Sequence, residues 1–339
     1  MRFHLTEEQS AIQDAVRGTL ADVWPMERLH KFADSQIDDG TDCDPESWQA
    51  LMALGIGALA LPEADGGAGL GLLDAALVCE VVGEAAGPGP VIGQILAAIA
   101  VARSASAGAR ALLPAIASGE AVVALAMGSP LVACARGATL FLTDGPDGAI
   151  HLVEAAADVS IEPQTATDRS RPVSRVNFAA ARAHVLFAGD DPMAQRLRDA
   201  ALVLIAADSL GGAQKVTDMS VAYAKEREQF GQPIGRFQGL KHQLAHMALD
   251  VEPARALVWY AAYAWDAELP DATRAAAMAK AHLCDVYTSA TRAAIAAHGG
   301  IGYTWEYGLN YWFRRSIANR AWLGSPSQHR ARAAELAGW

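Results

Sequence analysis

Two tracts of helical periodicity flank a shorter tract with the alternation typical of β-strands. Apolar residues recur at helical spacing from residue 7 to about 118, with breaks at 61–71 and 85–93, where Gly and Pro interrupt the pattern. From about 120 to 190, short β-type runs alternate with turns such as DGPDG. Pro192 then opens a second helical region. The predicted fold class is mainly α with a small β domain in the middle.

The same pattern predicts the domain boundaries and the individual elements. An N-terminal helical domain is expected at 1–119, a reduced middle β domain at 120–190 and a C-terminal helical bundle at 191–339. The β-type runs are VVALAM, TLFLT, AIHLV and HVLFA. The C-terminal helices are predicted at about 192–226, 236–266, 271–298, 306–323 and 326–337.

The start of the chain and its most apolar stretch both argue against a membrane-directed segment. MRFHLTEEQS is charged and predicts a helix that begins with a capping box of Thr6 and Gln9, which is not the pattern of a signal peptide. The longest apolar stretch, VIGQILAAIAVA from Val91, is too short to span a bilayer and contains Gln94. We therefore expect no membrane contact.

Composition narrows the classes of partner. The chain has 339 residues and 52% hydrophobic content, enough for a large core, and a net charge of −11. A sequence pI near 5.3 argues against binding to nucleic acid or to an anionic membrane, because either surface needs an excess of Lys and Arg. Any phosphate group must therefore be held by a few local contacts.

The cysteines indicate a reducing compartment. The four are far apart and follow no metal-ligand spacing, so reduced thiols in the cytoplasm are the simplest explanation. They are Cys43, Cys79, Cys134 and Cys284.

A charged and aromatic segment interrupts the second helical region. YAKEREQFGQPIGRFQGLKH runs from Tyr223 to His242, and one helical pattern stops near Arg227 before another begins. Gln229 and Phe230 stand beside Gly and Pro residues that favour a turn of fixed shape presenting polar groups. Such a turn usually caps a helix and sometimes binds a ligand.

A second Gly-rich segment, AAHGGIGYTWE at 296–306, follows the helix predicted at 271–298. Gly299, Gly300 and Gly302 would let the backbone approach another group closely, and a pyrophosphate is one such group. A helix stop followed by a turn is the alternative explanation. The order of the segments favours the ligand: the charged turn comes first, then two helices, then this segment, then a helix with two adjacent arginines.

That ordered set resembles the C-terminal domain of the flavin-dependent acyl-CoA dehydrogenases. The resemblance implies that FAD is the cofactor and that Arg227 and Phe230 reach the FAD of a neighbouring subunit. It also implies that the Gly-Gly-x-Gly segment contacts the pyrophosphate region, for which an Arg fork and unblocked backbone amides are suited chemically. The expected cofactor-binding residues are Arg227, Gln229, Phe230, Gln238, Gly299, Gly300 and Gly302.

The chain departs from this family at the catalytic base. Family members remove the substrate α-proton with a Glu that lies in one of two places. One is a Y-E-G-T-like loop after the Arg-rich helix, where this chain has Leu323, and no Asp or Glu occurs from 307 to 334. The other is on the first C-terminal helix, where counting back from LGGAQ places Ala201. We expect no catalytic residue in this chain.

Two carboxylates lie near the second position. Asp199 points to the other side of the predicted helix from Ala201. Asp208 shares the face of Ala201 but lies two turns, roughly 10 Å, away. A base must come within hydrogen-bonding reach of its proton, so neither is expected to serve.

The middle domain also lacks family features. Only ALAMGSP at 124–130 could be a remnant of the usual T-E-P-x-x-G-S-D loop, and no Trp occurs between Trp48 and Trp259. The features retained act on a partner's FAD, while the missing ones belong to the chain's own site. This resembles the short, non-catalytic subunits of heteromeric acyl-CoA dehydrogenases that act on steroid side-chain CoA thioesters.

The expected partners are therefore a catalytic acyl-CoA dehydrogenase subunit in an α2β2 heteromer, an acyl-CoA substrate and an electron-transfer acceptor. Two alternatives stay open. The chain is a self-sufficient, homo-oligomeric dehydrogenase whose base has been misplaced, or it is a non-enzymatic assembly subunit that has lost FAD.

Two further groups suggest ligands. His242 and His246 in HQLAH lie one turn apart on a helix and could bind metal, but the Glu of the H-E-x-x-H motif is absent and no third ligand is evident, so we expect no metal. A basic group could meet CoA or FAD phosphates, with a solvated helix face as the alternative. It comprises Arg314, Arg315, Arg320, Arg330, Arg332 and His329.

Overall fold

The computed structural model describes residues 4–35, 42–145, 147–156, 158–178 and 182–339. The chain forms helices, then strands, then helices again, as the sequence predicts. The division at residues 119–120 and 190–191 stays a prediction. The N-terminal helices are α1 Glu7–Val23, α2 Met26–Ser35, α3 Pro45–Ala53, α4 Leu72–Glu84, α5 Val91–Arg103, α6 Ala107–Arg110 and α7 Leu113–Ser118.

Local capping sets where the N-terminal helices begin. The predicted capping box is present, because the Thr6 hydroxyl accepts from the Gln9 amide and the Gln9 side chain accepts from the Thr6 amide. Asp44 accepts from the Ser47 amide and begins α3. Helix α5 is buried on every side from Val91 to Val101, so it lies at the centre of the fold rather than at its surface.

The middle region forms two small sheets. The four predicted runs become β1 Val123–Ala126, β3 Leu140–Asp144, β4 Ile150–Glu154 and β7 Ala183–Phe187, in one sheet of order β1-β3-β4-β7. Only the β1–β3 pair in this sheet is parallel. A second sheet of order β2-β6-β5 was not predicted, because β5 and β6 carry mainly polar or exposed residues and β2 has only three residues. Its strands are β2 Leu131–Ala133, β5 Ser160–Gln164 and β6 Val173–Asn177.

The second helical region contains the five predicted helices. They are α8 Pro192–Glu226, α9 Gln238–Asp266, α10 Ala272–His298, α11 Leu309–Ala321 and α12 Pro326–Leu336. A two-strand hairpin, β8 Glu228–Gln229 with β9 Gln232–Pro233, lies between α8 and α9. No helix in the described ranges combines the length and the apolar content needed to cross a bilayer.

Glycines let α8 pack closely against α4 and α10. A Cβ at Gly211 would lie 1.7 Å from the Glu80 carbonyl oxygen on α4, and one at Gly83 would lie 2.0 Å from the Asp208 carbonyl oxygen. A Cβ at Gly212 would lie 2.3 Å from the Tyr287 ring on α10. The backbones of α4 and α8 therefore touch at a distance that only Gly allows.

A buried charge network joins the three regions next to this contact. Arg315 on α11 donates to Asp208 on α8 from Nε at 3.0 Å and also from Nη2. Its Nη1 donates at 3.0 Å to the Gly87 carbonyl oxygen, which follows α4. Arg171, from the loop before β6, donates to Asn319 at 2.6 Å and to Asp168 at 2.9 Å.

Both main charges of this network are fully buried, with Asp208 and Arg315 each 1% exposed. Burial alone would raise the pKa of Asp208, but the Arg315 and Arg171 guanidiniums hold that pKa below its usual range. Asp208 is therefore ionised in the folded chain. A carboxylate in this position needs its guanidinium partner to stay buried.

Replacing Arg315 with Met should destabilise the chain by about 3–5 kcal/mol, because Asp208 stays buried without its main counter-ion. Urea unfolding followed by circular dichroism measures this. Arg320→Met is the matched control, since Arg320 also lies on α11 and pairs with an Asp, Asp285 at 2.9 Å, but at the surface. That variant should lose at most about 1 kcal/mol. Equal losses in the two variants would contradict the role given to the buried pair.

Candidate functional site

The segment that interrupts the helices is a short hairpin arm, residues 227–237. Helix α8 ends where Arg227 leaves helical geometry, with φ −69° and ψ 124°. The Arg227 carbonyl oxygen accepts from the Ile234 amide at 2.8 Å and closes the base of the hairpin. The Arg227 side chain is exposed and forms no ion pair or hydrogen bond with the residues that the structure describes. Its guanidinium is free to meet an anion.

The tip of the arm holds a large aromatic in an unfavourable backbone conformation. Phe230 and Gly231 have φ values of +54° and +74°, the two positive angles of a type I′ hairpin turn. Asn or Asp usually fills the first position, because a bulky L-residue is strained there. Phe230 is nevertheless 92% exposed, and its only described aromatic neighbour is Phe237, with ring centroids 6.1 Å apart. The chain alone gives no packing reason for a Phe here.

The other arm residues predicted to bind a cofactor are also exposed. Gln229 lies in β8, and its side-chain amide donates to the Glu228 carbonyl oxygen at 2.8 Å. Gln238 is the first residue of α9 and points to solvent. Both polar side chains are accessible to a ligand or to another chain.

The Gly-rich segment divides into open and packed positions. A Cβ at Gly302 would lie 2.8 Å from the Ile295 carbonyl oxygen, so this Gly is needed for packing. A Cβ at Gly299 or Gly300 would meet nothing within 4 Å, and both residues are exposed. Gly299 still has a conformational role because its φ is +65°. Gly300 has neither constraint among the described residues, so its backbone is open to solvent.

A partly buried aromatic junction brings the arm and the Gly-rich segment together. Tyr223, one turn before Arg227, stacks on His298 with ring centroids 4.4 Å apart. His298 directly precedes Gly299, and Tyr307 packs against both rings. Two segments about seventy residues apart in sequence therefore share one face. The sequence names neither Tyr223 nor His298 as a site residue, because their stacking depends on how α8 and α10 pack.

The hydrogen bonds of His298 fix its tautomer. Nδ1 lies 2.7 Å from the Ala294 carbonyl oxygen and must donate, while Nε2 lies 2.9 Å from the Tyr307 hydroxyl and accepts from it. Burial lowers the pKa of His298. The ring is therefore mainly neutral at pH 7, and a second proton would reverse the direction of its bond to Tyr307.

Neither predicted base position carries a side chain that can accept a proton, and both side chains pack against other groups of the chain. Ala201 is fully buried inside α8. Leu323 has a positive φ of +56°, and its Cδ2 would lie 3.3 Å from a Cβ at Gly128, in the ALAMGSP segment. The Leu323 loop is held by Lys280, which donates to the Gly324 carbonyl oxygen at 3.3 Å, and by His329, which donates to the Leu323 carbonyl oxygen at 2.8 Å.

A crevice lined by Trp322, the residue before Leu323, is nearly filled. It lies where α4, α5, β1 and α11 meet and has a volume of about 20 Å³, with Arg171, Arg315 and Trp322 in its lining. Such a void holds one water molecule, whereas sites for organic ligands measure about 300–1,000 Å³. The Arg171 guanidinium lies 5.5 Å from the centroid of the Trp322 ring. This crevice cannot hold a flavin ring or an acyl chain in the geometry observed.

The nearby carboxylates are engaged elsewhere. Asp208 belongs to the buried network described above. Asp199 is 1% exposed and accepts from Gln195 and Thr273, each at 2.8 Å, and from Arg332 at 3.3 Å. Burial raises the pKa of Asp199 despite these bonds. Neither carboxylate faces a space that could contain a substrate.

The basic group does not form one surface. Arg315 is buried, so the expectation of a phosphate contact or a solvated face is wrong for this residue, because it neutralises Asp208. Arg320 and Arg330 pair with Asp285, and Arg332 pairs with Asp199. Arg314 lies over the Trp305 ring, with its guanidinium carbon 4.9 Å from the centroid.

The His pair on α9 is exposed and isolated. His242 and His246 line a groove between α9 and α10. Across the described ranges of the chain, no three His, Cys, Asp or Glu side chains come together in a way that could hold a metal ion.

Comparison with known proteins shows which family the sequence of this chain matches. The model of the acyl-CoA dehydrogenase C-terminal domain matches residues 194–337, and that of the N-terminal domain matches residues 6–120. The chain is 31% identical over 330 residues to acyl-CoA dehydrogenase IpdE2 of Mycolicibacterium smegmatis, covering 96% of this chain and 97% of that protein.

Two solved structures show the same overall fold. The Tcur3481-Tcur3483 steroid ACAD G363A variant aligns with a TM-score of 0.88 at 29% identity, over 98% of each chain. Butyryl-CoA dehydrogenase from Megasphaera elsdenii aligns with a TM-score of 0.85 at 20% identity, over 99% of each chain. At that lower identity the likeness establishes the fold alone.

Replacing Phe230 with Asn should stabilise the free chain by about 1 kcal/mol, because Asn adopts a positive φ with less strain. Phe230→Ala is the control, since it removes the ring but keeps a strained L-residue at the turn. Urea unfolding of the three proteins measures the difference. If the Asn variant is no more stable than the Ala variant, the hairpin tip carries no strain of this kind.

The stability of the chain should depend on pH through His298. Because its pKa in the folded chain lies below the unfolded value of about 6.5, its contribution is present above that pH and is lost as the pH falls through the lower folded value. We expect His298→Gln to show a shallower fall in unfolding free energy between pH 6.5 and 5 than the parent chain. His282→Gln, at an exposed position on α10, should keep the parent slope. Identical slopes in all three proteins would refute this assignment.

Proposed function

Because the chain belongs to the acyl-CoA dehydrogenase family, we propose that it is a subunit of an FAD-dependent acyl-CoA dehydrogenase and completes the FAD site of a catalytic partner. One contrast carries this proposal. Arg227 and Phe230 are exposed and a Cβ at Gly299 or Gly300 would meet no described atom within 4 Å, while the crevice lined by Trp322 has a volume of only about 20 Å³. These surface groups are therefore accessible to a ligand, whereas this one crevice is too small for a flavin ring or an acyl chain.

The outward face fits a pyrophosphate-bearing cofactor. Arg227 offers a guanidinium that forms no ion pair among the described residues, and Arg forks match phosphate oxygens in charge and shape. Gly299 and Gly300 leave their backbone open, so a phosphate or ribose could approach the main chain. Phe230 adds an exposed ring that an apolar part of the cofactor or of the partner would cover. Gln229 and Gln238 supply further polar contacts.

The bound FAD would supply the hydride acceptor for α,β-desaturation of an acyl-CoA thioester. This chain's own residues would bind and orient the cofactor and would move no proton. Ala201 and Leu323 cannot act as bases, and general-base catalysis typically contributes 10²–10⁴-fold. We therefore assign the base and the acyl site to the partner subunit.

The substrate class we propose is a steroid side-chain CoA thioester. This rests on likeness to the structure named a steroid ACAD, which matches nearly the whole chain at 29% identity. The name of that structure joins two components, Tcur3481 and Tcur3483, in keeping with a heteromer. We propose an α2β2 assembly in the cytoplasm that passes electrons to a separate acceptor.

Expression of the chain alone and with a neighbouring dehydrogenase gene separates this proposal from its alternatives. Bound flavin, measured by absorbance after purification, should appear only on co-expression. Flavin in the chain expressed alone would favour a self-sufficient dehydrogenase. Co-purification of the two chains without flavin would favour an assembly role without FAD, and failure to co-purify with any neighbouring dehydrogenase would contradict the heteromer.

Replacing Arg227 with Ala should lower the FAD content of the assembled complex while the chain stays folded. The loss of one charge-assisted hydrogen bond costs about 1.5–3 kcal/mol, which weakens cofactor retention tenfold or more. Lys225→Ala is the control, because Lys225 is an exposed cation in the last turn of α8, just before the arm. Equal flavin occupancy in the two variants would remove Arg227 from the cofactor site.

A further inference from the structure

A second cavity lies on the opposite side of α4 from the crevice already described. It is an open crevice of about 280 Å³ between α1, α2, α4 and α8, and we call it the α1–α4 crevice. Leu20, Trp24, Leu29, Val81 and Trp312 form its apolar walls. Each of these side chains is at most 4% exposed, so the walls belong to the rigid core. The volume lies just below the range of about 300–1,000 Å³ that is typical of small-molecule sites.

The mouth of the α1–α4 crevice carries one uncompensated cation. Arg17 and Glu84 lie there but neutralise each other, with Arg17 Nε 3.0 Å from Glu84 Oε2, and Arg17 also pairs with Asp14. Lys215 lines the same mouth from α8. Within the described ranges of the chain, Lys215 takes part in no ion pair. An anionic group at the mouth would be its natural counter-ion.

The wall also contains an unsatisfied donor. The indole nitrogen of Trp24 is buried and has no hydrogen-bond acceptor among the residues that the structure describes. A buried N–H without a partner is uncommon and costs about 1–3 kcal/mol. By contrast, Trp312 in the same wall donates to the carbonyl oxygens of Gly83 and Glu84, each at 3.2 Å.

We propose that the α1–α4 crevice binds a small amphipathic carboxylate, such as a medium-chain fatty acid. The apolar body packs between α1 and α4, and the carboxylate meets Lys215 at the mouth. Burying the apolar body supplies the main free energy, and the ion pair sets the preference for an anion. The site includes no residue of the arm or of the Gly-rich segment, so this proposal can be tested independently of the FAD proposal.

Isothermal titration of the full chain with decanoate tests this site. Decyltrimethylammonium, which has the same alkyl chain and the opposite charge, is the matched ligand. Ala21→Phe should block the crevice, because Ala21 lies at its exposed rim, and Lys215→Gln should remove the cation. The control variants are Ala15→Phe, on an exposed part of α1 outside the crevice, and Lys225→Gln. Circular dichroism confirms that each variant is folded.

We expect saturable binding of one decanoate, weakened at least tenfold by Ala21→Phe and at least fivefold by Lys215→Gln, with both controls unchanged. Decyltrimethylammonium should bind at least tenfold more weakly than decanoate. Absence of saturable binding, equal binding of the two ligands, or parent-like affinity in Ala21→Phe overturns the proposal. The proposal would also be overturned if a partner protein occupied the crevice. In that case Ala21→Phe, but not Ala15→Phe, would prevent co-purification of the partner chain.

Discussion

The ion pair between Arg315 and Asp208 is the constraint on which the rest of the structure depends. An ionised carboxylate deep inside a helical bundle is stable only while its guanidinium partner stays in place. Arg315 comes from α11, Asp208 from α8, and the same guanidinium also donates to the Gly87 carbonyl oxygen after α4 and to Ser170. The pair therefore fixes how the second helical region docks on the first and on the strands.

Backbone strain has different consequences inside the fold and at its surface. Two residues with positive φ, Phe230 and Leu323, mark opposite outcomes of backbone strain. At Leu323 the strained loop is tied down by Lys280 and His329 and its side chain packs towards Gly128, so nothing is presented. At Phe230 the strained residue lies at the tip of the arm, where its ring is exposed to solvent. The strain at Phe230 therefore has no packing explanation among the described residues.

Close helix packing sets the position of the arm relative to the Gly-rich segment. Gly83 and Gly211 bring α4 and α8 into backbone contact, and Gly212 brings α8 against Tyr287 on α10. With α8 held between these helices, its last turn places Tyr223 on His298, and the arm begins one turn later. The relative position of the arm and the Gly-rich segment is thus set by the core and not by the loops. This arrangement lets a face assembled from distant segments stay preorganised without a ligand.

The sequence alone determined the features that depend on local interactions. Helix spans such as α8, the Thr6 capping box, the four strands of the first sheet and the break at Arg227 all follow from residues close together in the chain. The likeness of the arm and the Gly-rich segment to one family was also visible, as was the absence of any Asp or Glu from 307 to 334. Strands β2, β5 and β6 gave no such signal, because β2 has only three residues, β5 and β6 are mainly polar, and their pairing joins segments that are distant in sequence or irregular in pattern.

Only the tertiary structure decided the properties that depend on which side chains meet. Arg315 belongs to a run of basic residues that suggests a helix surface, yet it is buried, because Asp208 more than a hundred residues earlier neutralises it. Tyr223, His298 and Tyr307 are unremarkable in sequence and become a junction through helix packing. The near closure of the inner crevice and the openness at Gly300 were likewise invisible, because volume is a property of the whole fold. Local sequence sets the elements, whereas burial, charge pairing and cavity size arise when those elements pack.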